Sequence, residues 1–290
     1  MNGRLYQGSK PVMWSPVEQT ALAEAEVEYH DKESFTIWVR FPVLGDGPLA
    51  GADVVIWTTT PWTIPSNKGV VYHPDISYGV YEITEAAADN WVKTGDKLLL
   101  ADKLAEGCLT KANVDAYTRI ADAGDLSGLK LAHPFAGIEG GNGEWDAPRD
   151  FRAAPFVTDE DGTGFVHCAP SHGLDEFELY RDLGMLEEVI TYNVTPDGSF
   201  RADLPLFGGM RIPRDKPPTK NNANPWERDA NPAPTSALAP TRPLFALGHI
   251  QHTYPQPRRP TPPFTLLNPT PMPPARRDRV RHDASASCRP

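Results

Sequence analysis

The chain has 290 residues, a formal net charge of −10, 40% hydrophobic residues and 23% charged residues. That balance suits a soluble globular protein of one large or two small domains. No apolar run reaches the length of about 18 residues that a membrane span needs, and three cysteines (Cys108, Cys168, Cys288) without a C-x-x-C pair argue against a disulfide framework and a zinc ribbon, so the expected compartment is the reducing cytoplasm.

In chain order, Phe35, Ile37, Val39 and Phe41 alternate with Thr36, Trp38 and Arg40, which predicts a half-buried strand. Asp53 to Trp57 is a short apolar run leading into threonines, and residues 69–72 and 78–83 predict two more strands around a His73-Pro74-Asp75 turn. Residues 86–92 and 103–111 read as short helices, and 117–120 and 154–157 as strands. Gly164 to Cys168 reads as a strand opened by a glycine turn. Leu174, Phe177, Tyr180 and Leu183 then recur every third position before Gly184, a pattern for a helix with a glycine stop. Together these predict a β-rich α+β fold, a small β-barrel with peripheral helices.

Residues 211–290 differ from the rest. They hold 18 of the 31 prolines and a net charge of +8, against −18 for residues 1–210. Pro217-Pro218, Pro262-Pro263 and Pro273-Pro274 break helices and ladders alike. This basic, Pro-rich tail is expected to be largely irregular, because it buries too little apolar surface to offset about 1–2 kcal/mol of backbone entropy per residue.

Two segments carry candidate chemistry. In WTTTPWTIPSN, residues 57–67, three threonines at a strand end meet a proline-fixed turn. Hydroxyls both donate and accept, so Thr58, Thr59 and Thr60 can hold a water beside a substrate oxygen, while Trp57 and Trp62 supply flat walls. Such threonines also occur for strand propensity alone. In GTGFVHCAPSHGLDEF, residues 162–177, His167 ends a strand and Asp175 and Glu176 open a helix. Carboxylates are favoured there by the helix dipole without any catalytic duty. A metal site on His167, His172 and Asp175 lacks the usual ligand spacing. Cys168 lies in an apolar run, which points to burial rather than nucleophilic work.

These segments resemble the editing domain of isoleucyl-tRNA synthetases, the insertion called connective peptide 1. WTTTPWTIPSN is close to that family's threonine signature, and GTGFVHCAPSHG, residues 162–173, matches its GTG-x-VH-x-AP pattern. The run KPVMWSP, residues 10–16, with residues 20–29, resembles the segment leading into the insertion. The resemblance divides the chain into an entry segment (1–34), an editing domain (35–210) and the tail. His252-Thr253-Tyr254-Pro255 and Asn268-Pro269-Thr270-Pro271 match the family's return segment only in fragments, as if frameshifts had scrambled the tail. The HIGH and KMSKS signatures that bind ATP are absent from the chain.

The resemblance implies hydrolysis of mischarged valyl-tRNA(Ile) or valyl adenylate. Asp175 or Glu176 would hold the α-ammonium; the family usually has aspartate where Glu176 stands. His167 would shape a small pocket, Thr58 to Thr60 would place ester and water, Trp57 and Trp62 would wall the pocket, and Asn67 would contact the nucleotide end. Editing needs no cofactor, and ATP and Mg2+ belong to the full-length family enzyme. The implied partner is the acceptor end of tRNA(Ile) carrying a non-cognate amino acid, met by a monomer with no membrane contact. An acidic body predicts weak tRNA binding by this chain alone. A fragment that binds without turnover and a free-standing β-rich binding module remain the alternatives.

Overall fold

The computed structural model describes residues 10–16, 18–212, 232–257 and 265–267. Pro217-Pro218, Pro262-Pro263, Pro273-Pro274, Cys288 and the 268–271 fragment lie outside them.

Strands β1 (Val12–Ser15) and β2 (Thr20–Ala21) precede a long strand, β3 (Val27–Leu44). β4 (Ala52–Thr58), β5 (Gly69–Tyr72), β6 (Tyr78–Ala86) and β7 (Lys97–Ala101) follow. Helix α1 (Ala105–Lys111) leads to β8 (Val114–Asp122), β9 (Lys130–Leu131), β10 (Arg149–Ala153) and β11 (Phe165–Cys168). Helices α2 (Leu174–Asp182) and α3 (Leu186–Val189) come next, then α4 (Pro232–Leu238), β12 (Leu244–Pro257) and β13 (Thr265–Leu267). The architecture is β-rich α+β, with parallel and antiparallel pairs in one sheet.

The expected barrel does not close. The pairing path runs β11-β5-β10-β9-β3-β4-β7-β6-β8, with β12 beside β3, and no described pair joins its ends. Packing takes the place of closure. The long β3 pairs with β4 at residues 37–42 and with β9 at 43–44, so it links two parts of the sheet. β11 packs across β4. Ile56 of β4, Val70 of β5 and Phe165 of β11 meet in one apolar cluster.

Several expectations change for local reasons. The strand at 35–41 is covered on both sides rather than half-buried: Thr36, Trp38 and Arg40 are as buried as Ile37, Val39 and Phe41. Residues 87–92 form a turn, not a helix. Asn90 takes the Val92 N–H on its Oδ1 and donates from Nδ2 to the carbonyls of Ala112 and Asn113, which competes with helical bonding. The strand near 154 ends at Ala153, because Pro155 has no N–H to continue the ladder. In α2 only Phe177 and Tyr180 are buried, while Leu174 and Leu183 are exposed. A spacing of three falls short of the helical repeat of about 3.6, so the ends of such a run rotate off the buried face. The glycine stop is present: Gly184 has φ 69°, its N–H reaches the Arg181 carbonyl, and the Met185 N–H reaches that of Tyr180.

The tail is more regular than its composition implied. α4, β12 and β13 fall in it, and Leu238, Leu244, Phe245 and Leu267 are buried. β12 pairs antiparallel with β3 from Leu244↔Val39 to Pro257↔Val27. Among the described residues β3 is its one strand neighbour, so Pro255 and Pro257 occupy an edge strand, where a missing N–H is tolerated. β13 pairs with β1, Leu267 opposite Val12.

Candidate functional site

The threonine segment is fixed from both ends. Thr58 closes β4, and its Oγ1 accepts the Thr60 N–H at 3.0 Å. Pro61 then opens a short 3-10 turn, Pro61–Ser66, where its lack of an N–H costs nothing. The Thr60 carbonyl accepts both the backbone N–H and the hydroxyl of Thr63, at 3.0 and 2.8 Å. Side chains from a distant loop brace the turn: His133 Nε2 donates to the Ile64 carbonyl at 2.9 Å, and Trp145 Nε1 to that of Pro65 at 3.0 Å.

The second segment approaches through β11, where His167 stands opposite Val70 of β5. The preceding turn needs glycine at 164, which has φ 80° and where a Cβ would overlap the Ala101 methyl. After β11 the chain turns through Pro170 to Gly173, the N-cap of α2. A methyl group at Gly173 would overlap the Glu176 carboxylate. The carboxylate is therefore folded back over the helix start rather than extended into solvent.

These elements enclose a cavity of about 470 Å³. Trp57, Thr58, Thr59, Thr60, Trp62, His167 and Glu176 all line it. Asp175 and Asn67 do not. Asp175 is exposed on the first turn of α2. Asn67 is buried and supports His167 instead of facing outward: its Nδ2 donates to the Gly69 carbonyl at 2.8 Å and lies 3.4 Å from His167 Nδ1. Asn67, expected at the nucleotide end, is 1% exposed and lies behind His167.

His167 is part of a directional relay. Asn67 donates to Nδ1, so Nε2 carries the proton and donates to Thr63 Oγ1 at 3.1 Å. Thr63 passes its own proton to the Thr60 carbonyl. Burial, with His172 nearby, holds the His167 imidazolium down at about 4, so the ring is neutral at pH 7. Glu176 behaves oppositely. Burial, reinforced by Asp175, raises its carboxyl to about 7, against a bond from its own backbone N–H. The cavity thus combines neutral hydroxyls, neutral imidazoles and, in Glu176, an acid poised between its charged and uncharged forms near pH 7.

Three contributors were not legible as site residues. Thr63 lay inside the quoted motif, and the 3-10 spacing of three is what carries it back to Thr60. His172 lines the cavity, although the sequence offered it only a metal reading that its spacing does not support. Leu266 reaches the wall from the tail, where no sequence signal marked it. Among the described residues no three His, Cys, Asp or Glu side chains converge to hold a metal ion. Cys108 and Cys168 are buried with their thiols pushed up, Cys108 to about 12, which removes them as nucleophiles at neutral pH. No described helix is long and apolar enough to cross a membrane.

A family model described as tRNA synthetases class I (I, L, M and V) matches residues 1–239. The isoleucine–tRNA ligase of Ruegeria pomeroyi is 61% identical over 270 residues, covering 92% of this chain and 27% of that protein. That of Rhodopseudomonas palustris is 45% identical over 276 residues, covering 92% of this chain and 26% of its own length. The chain therefore spans about a quarter of the length of the curated relatives it matches. Among solved structures, GlLeuRS-CP1 aligns with a TM-score of 0.39 at 15% identity, over 54% of this chain and 63% of that one. The editing domain of the P. falciparum cytosolic leucyl-tRNA synthetase aligns with a TM-score of 0.38 at 9% identity, over 57% of this chain and 71% of that one. Likenesses of that size carry no argument about the site.

Proposed function

The chain belongs to the class I tRNA synthetases for isoleucine, leucine, methionine and valine, and from that premise we propose that its cavity hydrolyses valine esterified to the acceptor end of tRNA(Ile), or valyl adenylate. The observation that carries this reading is the convergence of Thr58, His167 and Glu176, from three separate elements, on one cavity.

The need for such a site is a packing argument. A pocket shaped for isoleucine rejects valine weakly, since one methylene is worth about 1–3 kcal/mol; isoleucine-against-valine selection is itself the standing example of that general magnitude, which is not obtained from this structure. A second, tighter compartment inverts the test by overpacking the larger side chain. Neutral His167, locked by Thr63 and Asn67, forms the rigid wall such exclusion requires.

Chemistry then follows from the residues present. The Glu176 carboxylate takes the α-ammonium in a charge-assisted bond. Thr59 and Thr60, whose hydroxyls lie 3.4 Å apart, hold the attacking water and the ester carbonyl together. Water oxygen bonds to the carbonyl carbon, the carbon–oxygen bond to ribose breaks, and the proton passes to the leaving ribose oxygen; in valyl adenylate the bond broken is the one to the phosphate oxygen, and AMP leaves with the proton released to solvent. The products are free valine and a deacylated end. An aminoacyl ester is already activated, so this step needs neither ATP nor a metal. Those belong to the ligation carried out by the full-length relatives. Trp57 and Trp62 flank the entering group as flat walls.

The test is deacylation of valyl-tRNA(Ile) and isoleucyl-tRNA(Ile) by the full chain, monitored by release of labelled amino acid. Valyl ester is expected to be cleaved and isoleucyl ester spared. Equal rates, or no rate above the uncatalysed one, would sink the proposal.

A further inference from the structure

His172 ends the loop between β11 and α2, and the reaction above gives it no duty. The residue is 8% exposed and lines the cavity with Thr58, His167 and Glu176. Nδ1 lies 3.1 Å from the Leu266 carbonyl oxygen. A carbonyl only accepts, so Nδ1 carries the proton and Nε2 presents a lone pair. That Nε2 is buried without a hydrogen-bond partner among the described residues. The Trp62 ring meets the imidazole edge to face at a centroid distance of 4.9 Å, an apolar contact that leaves Nε2 unpaired. A buried acceptor without a donor destabilises a fold, and a phenyl ring here would pack on Trp62 without leaving one. Such an orphan calls for an explanation.

We infer that His172 Nε2 accepts a hydrogen bond from the ribose hydroxyl next to the ester, on the terminal nucleoside of the substrate. The inference rests on the ester-hydrolysis reading above. Three donors surround the scissile bond of such a substrate: the α-ammonium, the attacking water and the vicinal hydroxyl. The ammonium goes to Glu176, the one acid in the cavity wall among the described residues. Water goes to the threonine hydroxyls, which can donate as well as accept. The vicinal hydroxyl remains, and a neutral imidazole lone pair is its natural acceptor. Burial keeps His172 neutral down to about 4, too weak a base to remove a hydroxyl proton, so its part is to orient the ribose. Leu266 on β13 thereby sets the tautomer through which a residue of the body meets the substrate.

The experiment is a chemical double-mutant cycle on the full chain. Its substrates are the valyl ester of adenosine and the corresponding ester lacking the vicinal hydroxyl, and its proteins are wild type and His172→Phe. The deoxy substitution is expected to lower kcat/KM about tenfold more in wild type than in His172→Phe. The intrinsic reactivity difference between the two esters is common to both proteins and cancels in that ratio. His172→Gln, which keeps a neutral acceptor, is expected to retain the wild-type dependence on the hydroxyl, and His172→Leu, which like phenylalanine carries no acceptor, is read in place of the phenylalanine variant if that one fails to fold. Equal deoxy penalties in wild type and His172→Phe, or loss of the hydroxyl dependence in His172→Gln, would overturn the inference while leaving ester hydrolysis standing. Failure of wild type to cleave either ester would overturn both.

Discussion

Thr63 Oγ1 lies 3.1 Å from Nε2 of His167, across 104 positions of sequence. Because Thr63 spends its own proton on the Thr60 carbonyl, it can only accept from the imidazole. This fixes His167 as the Nε2–H tautomer and denies it the lone pair a general base would need at that nitrogen. Nitrogen-15 spectra of the labelled chain are expected to show a protonated Nε2 at pH 7 and no titration of His167 above about pH 5, given its value of about 4. Thr63→Val leaves a buried ring N–H unpaired, which costs about 1–3 kcal/mol. A melting temperature equal to wild type would show that the relay is not formed.

Glu176 and Asp175 separate by position. Only Glu176 lines the cavity. Glu176→Gln keeps the shape and removes the charge, so kcat/KM for the valyl ester is expected to fall about 10- to 100-fold, the value of a hydrogen bond to a charged group. Asp175→Asn is expected to change it less than about threefold, as for exposed charge partners. The raised carboxyl of about 7 adds a pH signature. The free protein binds the ammonium only when Glu176 is ionised, so kcat/KM rises with pH through about 7 and falls again once the substrate's own α-ammonium, at about 7.7–8.0 for an α-amino group, loses its proton. A profile flat from pH 6 to 8 would remove Glu176 from the amine site.

How much of this was legible in the sequence differs between levels. Strands β4, β5 and β11 and helix α2 were readable because short apolar runs bounded by Pro and Gly are a local signal. So was the meeting of Thr58, His167 and Glu176, though only through resemblance. Local reading failed where order comes from a distant partner. Composition marks 244–257 as a poor strand, yet Phe245 is fully buried because β3 offers it a paired edge. The nucleotide contact given to Asn67 came from the family resemblance alone. The burial of Asn67 behind His167 depends on β5 and β11 coming together, which no spacing within residues 57–67 encodes.

Acid stability follows from the same histidines. His167 and His172 each fall from an ordinary value near 6.5 to about 4 on burial, and His133 is also pushed well down by burial. A depressed histidine takes up its proton more readily in the unfolded chain. Its contribution is therefore complete above about pH 6.5 and is lost as pH falls through about 4. At about 1.4 kcal/mol per pH unit, each of the two is worth on the order of 3 kcal/mol. Urea midpoints are expected to decline between pH 6.5 and 4, and His172→Phe is expected to flatten part of that decline. A midpoint independent of pH across this window would contradict neutral burial.

Arg40 and Arg242 anchor the tail to the body through shared acids, and their unequal exposure separates their roles. Arg40 is fully buried in β3, with NH1 2.6 Å from Asp96 and 3.6 Å from Asp53 and its guanidinium 5.5 Å from the Phe245 ring centroid. Arg242, half exposed, reaches the same two acids at 3.2 Å. Burial raises Asp53 even with both arginines beside it, so desolvation is already only partly offset. Arg40→Met leaves Asp53 buried without its inner partner and is expected to cost about 3–5 kcal/mol. Arg242→Ala removes the arginine nearer to buried Asp53 but one that is itself half exposed, and is expected to cost about 1–2 kcal/mol, less than Arg40→Met. Adding Asp53→Asn to Arg40→Met recovers part of the loss, because the stranded charge is gone. Phe245→Ala, which empties a fully buried site, is expected to cost about 3–5 kcal/mol. Denaturation of the four variants settles what holds β12 in place. Arg242→Ala matching Phe245→Ala would mean that charge, rather than burial, fastens this strand to β3.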